Sequence, residues 1–410
     1  MQDLKKARIE VALLFLLFIF IMPTRHMIYD FEFWVNWALK IHKDGITNVY
    51  DDPTVNYHPV FLYLLHLYNL VQGSEFYIKE NINYIKFISL VFDFLPVVVL
   101  CCFRQRLVRQ PIPYLFLLLN IAYLFNSMAW GQVDSIHTNL VFFSLLMAIY
   151  APIASMVLFV LALGTKLQTI IFLPLLVILY IYSVKSIKQV IGIVLAGGLT
   201  MSLILAPFIA TGKVSQVWNV VTGAVGFYPK VSVNAFNLWY IIEPGNPYFI
   251  LDTKRYFLLS YKHTGLLLFF VTSGLTLLPL FFRTIRLRKS GLELGEDTKQ
   301  LLFLTTGLIA LYFFYFNTQM HERYAHPIII FFFFYAVYSR DYKLYILGSI
   351  AYLLSLDKTF QDYLPIVHYK IIFASRVIAI WYTLTIAYGM YIFFKHYSIK
   401  EEYRLLKSAN

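Results

Sequence analysis

The stretch "NTQMHERYAHP" (317–327) places two histidines, a glutamate and an arginine within six positions, between runs of Phe, Tyr, Leu and Ile. One charge is enough to anchor a segment at a membrane edge, yet His321, Glu322 and Arg323 are three ionisable neighbours. Their types suit the capture of an anion. A guanidinium makes two parallel hydrogen bonds to a phosphate, which an ammonium cannot, and such charge-assisted bonds are the strong ones. Glu322 would orient Arg323 or a second cation such as Lys166, and His321 would add a hydrogen bond, with Tyr324 beside them.

Four further polar clusters interrupt the apolar sequence. "YDFEFWVNW" (29–37) carries Asp30 and Glu32, with Trp34 and Trp37 to hold the segment at an interface. "WGQVDS" (130–135) carries Gln132 and Asp134, "GTKLQ" (164–168) carries Lys166 and Gln168, and "YPKVSVNAFNLW" (228–239) carries Lys230, Asn234 and Asn237. His58 stands in "YHPV" (57–60). A carboxylate, several cations and Tyr- and Phe-rich walls together suit a lipid that carries a phosphate. An aspartate is the usual base for activating an acceptor hydroxyl when the leaving group is already good. Asp30 is the first candidate for that base; Glu32 and Asp134 stand behind it, as bases or as groups that orient the acceptor. Asp93, alone inside "LVFDFLP", reads as a structural acid paired to a neighbouring helix.

The elements that position these residues follow from composition. Only 14% of the 410 residues are charged, 60% are apolar and 19% aromatic, whereas soluble domains average about 25% charged. Apolar stretches near the 17–25 residues needed to cross a bilayer recur throughout. The expectation is an all-α polytopic membrane protein, multi-pass and a single domain over 1–410. The net charge of +12 is then a matter of placement, because basic residues gather in cytoplasmic loops; no nucleic-acid partner is expected. Cys101 and Cys102 fall together in an apolar run and read as core thiols, not as a disulfide or metal pair. The N-terminal run lacks a small-residue cleavage site and reads as a retained first span.

Twelve spans are expected, at 9–24, 84–103, 112–128, 136–150, 151–164, 168–183, 187–210, 263–282, 300–317, 326–338, 342–356 and 370–394. With Lys5, Lys6 and Arg8 inside, 25–83 becomes a first outer loop whose "YHPVFLYLLHLYNLV" lies along the interface. The second outer loop is 211–262, and "RTIRLRKSGLELGEDTK" (283–299) is the main cytoplasmic loop. The spans at 136–150 and 151–164 are short enough to be half-helices lining a cavity. All five polar clusters come out on the outer side, where intramembrane ionisable groups are functional candidates.

With that layout, the sequence resembles the GT-C superfamily of integral membrane glycosyltransferases. "YDFEFWVNWALKIHKDGITNVYDDPTVNYHPVFLYLL" follows the family plan of a first span, an early acidic residue and interfacial helices, with Asp30 in the catalytic-base position. "WGQVDS", "KLQ", "NAFNLW" and "HERY" are similar to prokaryotic relatives of the GPI-anchor mannosyltransferases, and the likeness covers about residues 1–340. One departure is "YHPV", where a second proline often follows in relatives. The resemblance implies a polyprenyl-phosphate sugar donor, with mannose as the favoured hexose. The acceptor would be a glycan, a lipid-linked glycan or a protein, and no metal or other cofactor would be needed. His321, Glu322, Arg323, Tyr324, Lys166, Gln168, Gln132, His58, Lys230, Asn234 and Asn237 are the candidates for holding donor phosphate and substrate. The expected location is a bacterial or archaeal plasma membrane, or the ER membrane, with the site on the outer or lumenal face.

Two rivals are open. An O-antigen-type polymerase or ligase usually relies on arginines in a large outer loop, and 211–262 has only Arg255. A lipid or sugar transporter predicts inverted repeats with interrupted helices, and no convincing repeat is found. The orientation is testable. Gly45→Cys, Gly131→Cys, Lys230→Cys and Met320→Cys should react with an impermeant thiol reagent from outside, and Ser290→Cys should not. External labelling at 290 would invert the topology.

Overall fold

A computed structural model describes residues 2–24, 26–107, 113–224, 226–363, 372 and 374–408. Among these the secondary structure is helical, with isolated bridge pairs and no β-strand. The chain begins with α1 (Gln2–Phe20), α2 (Ile28–Asp44), α3 (Pro59–Gln72), α4 (Glu75–Glu80) and α5 (Lys86–Leu107). Pro59 opens α3, where its missing N–H costs nothing, and Gly73 ends it in the left-handed region at φ 73°. Phe61, Leu62 and Leu65 are buried while Leu67, Leu70 and Val71 are exposed, so α3 has apolar residues on both its packed and its open face.

Next come α6 (Tyr114–Leu118), α7 (Ile121–Leu124), α8 (Asp134–Tyr150), α9 (Pro152–Leu163), α10 (Leu173–Ser183) and α11 (Ile187–Ala210). The span expected at 112–128 is not one helix. Asn120 interrupts it, capping α7 by accepting from Tyr123 N (3.2 Å) and donating to Tyr345 Oη (2.6 Å) and Ser349 Oγ (2.8 Å). A π-helical turn, Phe125–Trp130, then leads into α8; residues 108–112 lie outside the described residues. Pro152 separates α8 from α9, which fold back as a hairpin. Ser144 and Ser155 lock it, each hydroxyl donating to the other's carbonyl at 2.9 and 2.8 Å. Along α11 a stripe of Ile193, Thr200, Ile204 and Phe208 is buried, while Ile191, Val194, Leu195, Leu199 and Leu203 stay exposed.

The second half comprises α12 (Val214–Gly223), α13 (Leu238–Ile242), α14 (Tyr261–Ser290), α15 (Glu296–Phe316), α16 (Pro327–Ser339), α17 (Lys343–Tyr363), α18 (Ser375–His396) and α19 (Ile399–Ser408). α15 and α16 form the packed centre, both buried almost throughout. Phe303 meets Phe334 at 5.3 Å and Tyr338 at 5.7 Å, and Phe334 meets Phe142 of α8 at 4.6 Å. A Cβ at Gly307 would lie 2.4 Å from the Phe332 ring, so the two helices approach this closely only with glycine there.

Among the described residues five helical segments are long and apolar enough to cross a membrane: Ile82–Cys101, Ile187–Ala210, Tyr261–Ser290, Glu296–Phe316 and Ser375–Ser408. The twelve expected spans reduce to these five by that measure, because several apolar runs are broken or short. α16, for instance, has 13 residues and is about 20 Å long. The expected loop 283–299 is also corrected. α14 runs on to Ser290 and α15 begins at Glu296, so only 291–295 lie between them. Hydropathy fell at Arg283, but the helix did not end there, because its cations found partners. Arg283 Nε donates to Glu402 of α19 at 2.9 Å, its other nitrogens pair with Glu402 and Asp297, and Arg286 reaches Glu402 at 3.3 Å.

Arg283 and Glu402 are both buried, and removing Arg283 leaves Glu402 with only the longer contact to Arg286 at 3.3 Å. Arg283→Met should cost about 3–5 kcal/mol, and Arg283→Met with Glu402→Leu should recover much of it. Thermal unfolding in detergent measures both; equal losses in the single and double variants would refute the pairing argument.

Candidate functional site

Asp30 lies in the first turn of α2, two residues after Ile28. Its Oδ2 accepts from Trp130 Nε1 at 2.8 Å and from Gln132 Nε2 at 2.6 Å. Both bonds fall on one oxygen, so Oδ1 keeps its lone pairs. Trp130 ends the π-helical turn, where the next residues would be carried round the helix away from it. Trp130 and Gln132 converge because Gly131 sits at φ 84° between them, and a Cβ there would lie 2.3 Å from the Phe31 ring. Tyr57 Oη donates to Gln132 Oε1 at 3.2 Å and fixes which way that amide faces. Ser89 Oγ holds the Gln132 carbonyl at 2.8 Å.

Two residues on from Gln132, Asp134 opens α8, only 1% exposed. Lys166 donates to its Oδ1 and Asn126 Nδ2 to its Oδ2 at 3.2 Å, with His137 Nε2 at 3.7 Å and Arg323 Nε at 3.9 Å. Lys166 stands just before the 3-10 turn Leu167–Phe172. Its stem is set by the docking of α3: Val60 N donates to Gly164 O at 2.9 Å, and His58 Nδ1 pairs with Leu163 O at 2.9 Å.

The 317–326 segment joins α15 to α16. Arg323 Nη1 donates to Glu322 Oε1 at 3.0 Å, and the Tyr324 ring receives both the Lys166 ammonium (4.5 Å) and the Arg323 guanidinium (5.6 Å). Burial opposes the Arg323 charge, but the nearby Asp30 and Glu322 carboxylates more than offset it. Burial also pushes the Glu322 carboxyl up to about 7, against the pull of Arg323. His321 is held well below the usual histidine range by burial and by the Arg323 and Lys166 charges, so it is neutral at physiological pH. Of the three ionisable neighbours read from sequence, only Arg323 is a permanent charge. Three nitrogens of the segment are buried without a hydrogen bond: His321 Nε2, Arg323 Nε, which faces Asp134 at 3.9 Å, and His326 Nε2.

The structure thus brings together Asp30, Gln132, Asp134, Lys166, His321, Glu322, Arg323 and Tyr324. Other candidates fall elsewhere. Glu32 is exposed, on the side of α2 away from the buried Phe31, Trp34 and Trp37. Asn237 is a strut: its Nδ2 donates to Phe314 O (3.2 Å) and Asn317 O (3.1 Å), pinning the end of α15. Asn234, at φ 59°, contributes backbone, bridging to His321. Lys230 lies over the Tyr248 ring at 5.9 Å, Gln168 is half-buried without a hydrogen bond among the described residues, and His58 serves the docking of α3. Sequence reasoning passed over Trp130, Tyr57, Asn126, His137, His326 and Tyr352. Trp130 and Tyr57 sat inside or beside quoted motifs, whereas Tyr352 gave no signal in the middle of an apolar helix. Its hydroxyl accepts from Asn126 Nδ2 (3.1 Å), donates to Arg323 O (3.3 Å) and contacts His326 Nδ1 (3.3 Å).

No protein-family model and no curated protein matches this chain. Its chemistry must be read from the site. Asp30, Asp134 and Glu322 gather around Lys166 and Arg323, with Tyr57 on Gln132, Tyr228 on His321 and Tyr324 under both cations. Among the described residues no group of three or more His, Cys, Asp or Glu is disposed to hold a metal ion. The arrangement can accept a proton at Asp30 and hold an anionic oxygen at Arg323.

Gly131 is the keystone of the Asp30 clamp, and alanine there should cost about 1–3 kcal/mol for the left-handed backbone alone, plus displacement of Phe31. Gly131→Ala should therefore lower the unfolding temperature and loosen the Trp130 environment, read by near-UV circular dichroism. An unchanged spectrum and midpoint would refute this. The same crowding makes position 131 unsuitable as a labelling site.

Proposed function

We propose that the chain is an integral membrane glycosyltransferase. It moves a hexose, mannose foremost, from a polyprenyl-phosphate donor to a hydroxyl of a glycan, lipid-linked glycan or protein at the outer or lumenal face. The observation that carries this reading is the placing of an open carboxylate, Asp30, within electrostatic reach of a buried arginine whose Nε is unfilled. The apolar helices around it give the lipid chain a place to lie.

In this reading Asp30 Oδ1 takes the proton from the acceptor hydroxyl, whose oxygen forms the new bond to the sugar's anomeric carbon. The bond from that carbon to the phosphate oxygen breaks, and the electron pair leaves with the phosphate. Arg323 Nε meets the growing charge, and His321, neutral, donates a hydrogen bond from its unfilled nitrogen. Trp130 and Gln132 hold Asp30 in place without neutralising it. The polymerase or ligase reading has less support. Arg255, the one arginine of 211–262, hydrogen-bonds Phe257 O at 3.1 Å across its own turn.

Asp30→Asn keeps the size of the side chain and removes the base, so turnover should fall about 10²-fold or more with folding retained. Arg323→Lys should impair the enzyme, since the ammonium lacks the planar fork, and Arg323→Ala should weaken donor binding and slow transfer together. The assay is release of polyprenyl phosphate from a panel of radiolabelled polyprenyl-phosphate sugars. Wild-type rate and donor affinity in all three variants would overturn the reading.

A further inference from the structure

A short turn before α14 presents apolar side chains outward. Tyr256 N donates to Leu259 O at 2.8 Å, Arg255 pairs with Ser260, and Tyr261 N returns to Lys254 O at 3.1 Å, so the turn is closed by its own backbone. Its base is fixed in the protein. Tyr256 packs against Trp239 (5.9 Å) and Tyr261 (5.0 Å), and Ser260 caps α14 by accepting from His263 N. Its tip is not: Phe257, Leu258 and Leu259 are 82%, 73% and 43% exposed. A rigid turn cannot fold these side chains away, so their exposure is a property of the fold.

Position identifies what covers them. The apolar run of α14 starts at Gly265, five residues beyond Ser260 and about 7 Å along the helix axis. The headgroup layer on each side of a bilayer is about 5–7 Å deep, so the tip stands at its level. Exposed Leu267, Phe270 and Val271 continue the apolar surface down α14. Charge agrees as well. Lys254 and Arg255 are exposed and Lys262 half-buried, while the one acid between 244 and 264, Asp252, is buried and accepts from Thr318 and Gln319. Apolar tips ringed by cations suit a layer of phosphate headgroups over acyl chains.

We propose that Phe257, Leu258 and Leu259 form a membrane anchor that dips into the lipid interface beside α14. The anchor rests on the membrane reading of the helices and not on the transferase chemistry. Through Asp252 it ties the 317–321 segment, and so the approach to His321, to the plane of the bilayer. Phe257→Cys and Leu258→Cys, each labelled with bimane, would be reconstituted in nanodiscs containing nitroxide-labelled phospholipid. Leu203→Cys on the exposed face of α11 is the reference, and unmodified protein gives the labelling background. Both turn positions should lose most of their emission to a nitroxide near the headgroup, and less to one at the chain end. Unchanged emission at 257 and 258 while Leu203 is quenched would overturn the anchor and leave an exposed turn free for a soluble partner. Unquenched Leu203 would remove the membrane reading, and the anchor with it.

Discussion

Asp134 is buried at the first turn of α8, and its charge is tolerable there only because a cation from another element is brought against it. Burying an ion of this size costs several kcal/mol unless a partner and hydrogen bonds replace the lost water. Lys166, Asn126 and Arg323, from three other elements, and His137, one turn along α8, supply that replacement. The requirement fixes more than one side chain. Lys166 reaches Asp134 because α3 docks on the end of α9, and Arg323 approaches because the α15–α16 turn is held above α8. Charge neutrality inside an apolar bundle therefore decides where these helix ends can sit.

The same rule explains how the 317–326 segment keeps its shape without regular secondary structure. Irregular backbone buried in a protein interior needs partners for its N–H and C=O groups. The 211–262 segment provides them: Val233 N donates to Met320 O (2.9 Å), Gln319 N to Lys230 O (3.0 Å), and Trp239 Nε1 to Phe316 O (3.1 Å). From the other side Tyr352 of α17 accepts from Asn126 and donates to the Arg323 carbonyl, so one hydroxyl links the surroundings of Asp134 to those of Arg323.

Polar residues deeper in the bundle follow the same logic with a different outcome. Asp93 accepts from the Ser127 hydroxyl, and Tyr123 donates to its backbone carbonyl at 3.4 Å. Asn139 reaches Tyr123 Oη at 3.2 Å and Ser135 O at 2.9 Å. These groups bond to one another, with Asp93 Oδ1 left without a hydrogen bond, and there is no lysine or arginine among them. They brace α5, the π-helical turn and α8, as expected of a lone acid within an apolar run.

Composition and periodicity by themselves determined the helical class, the apolar character, the approximate limits of α5, α11 and α15 and the start of α14, because long uninterrupted apolar runs have few other ways to satisfy their backbone. The polar motifs were also legible, since ionisable residues in such a sequence stand out by their cost. Three things needed the tertiary structure. Asn120 breaks an apolar run by capping, which depends on Tyr345 and Ser349 more than two hundred residues away. Arg283 continues a helix that hydropathy would end, because Glu402 arrives from the far end of the chain. Asp30 and Glu32 look equivalent in "YDFEF", and only the convergence of Trp130 and Gln132 around Gly131 separates them. Local sequence records what a residue can do, but its partner is chosen by packing, and partners more than one hundred residues apart leave no trace in spacing.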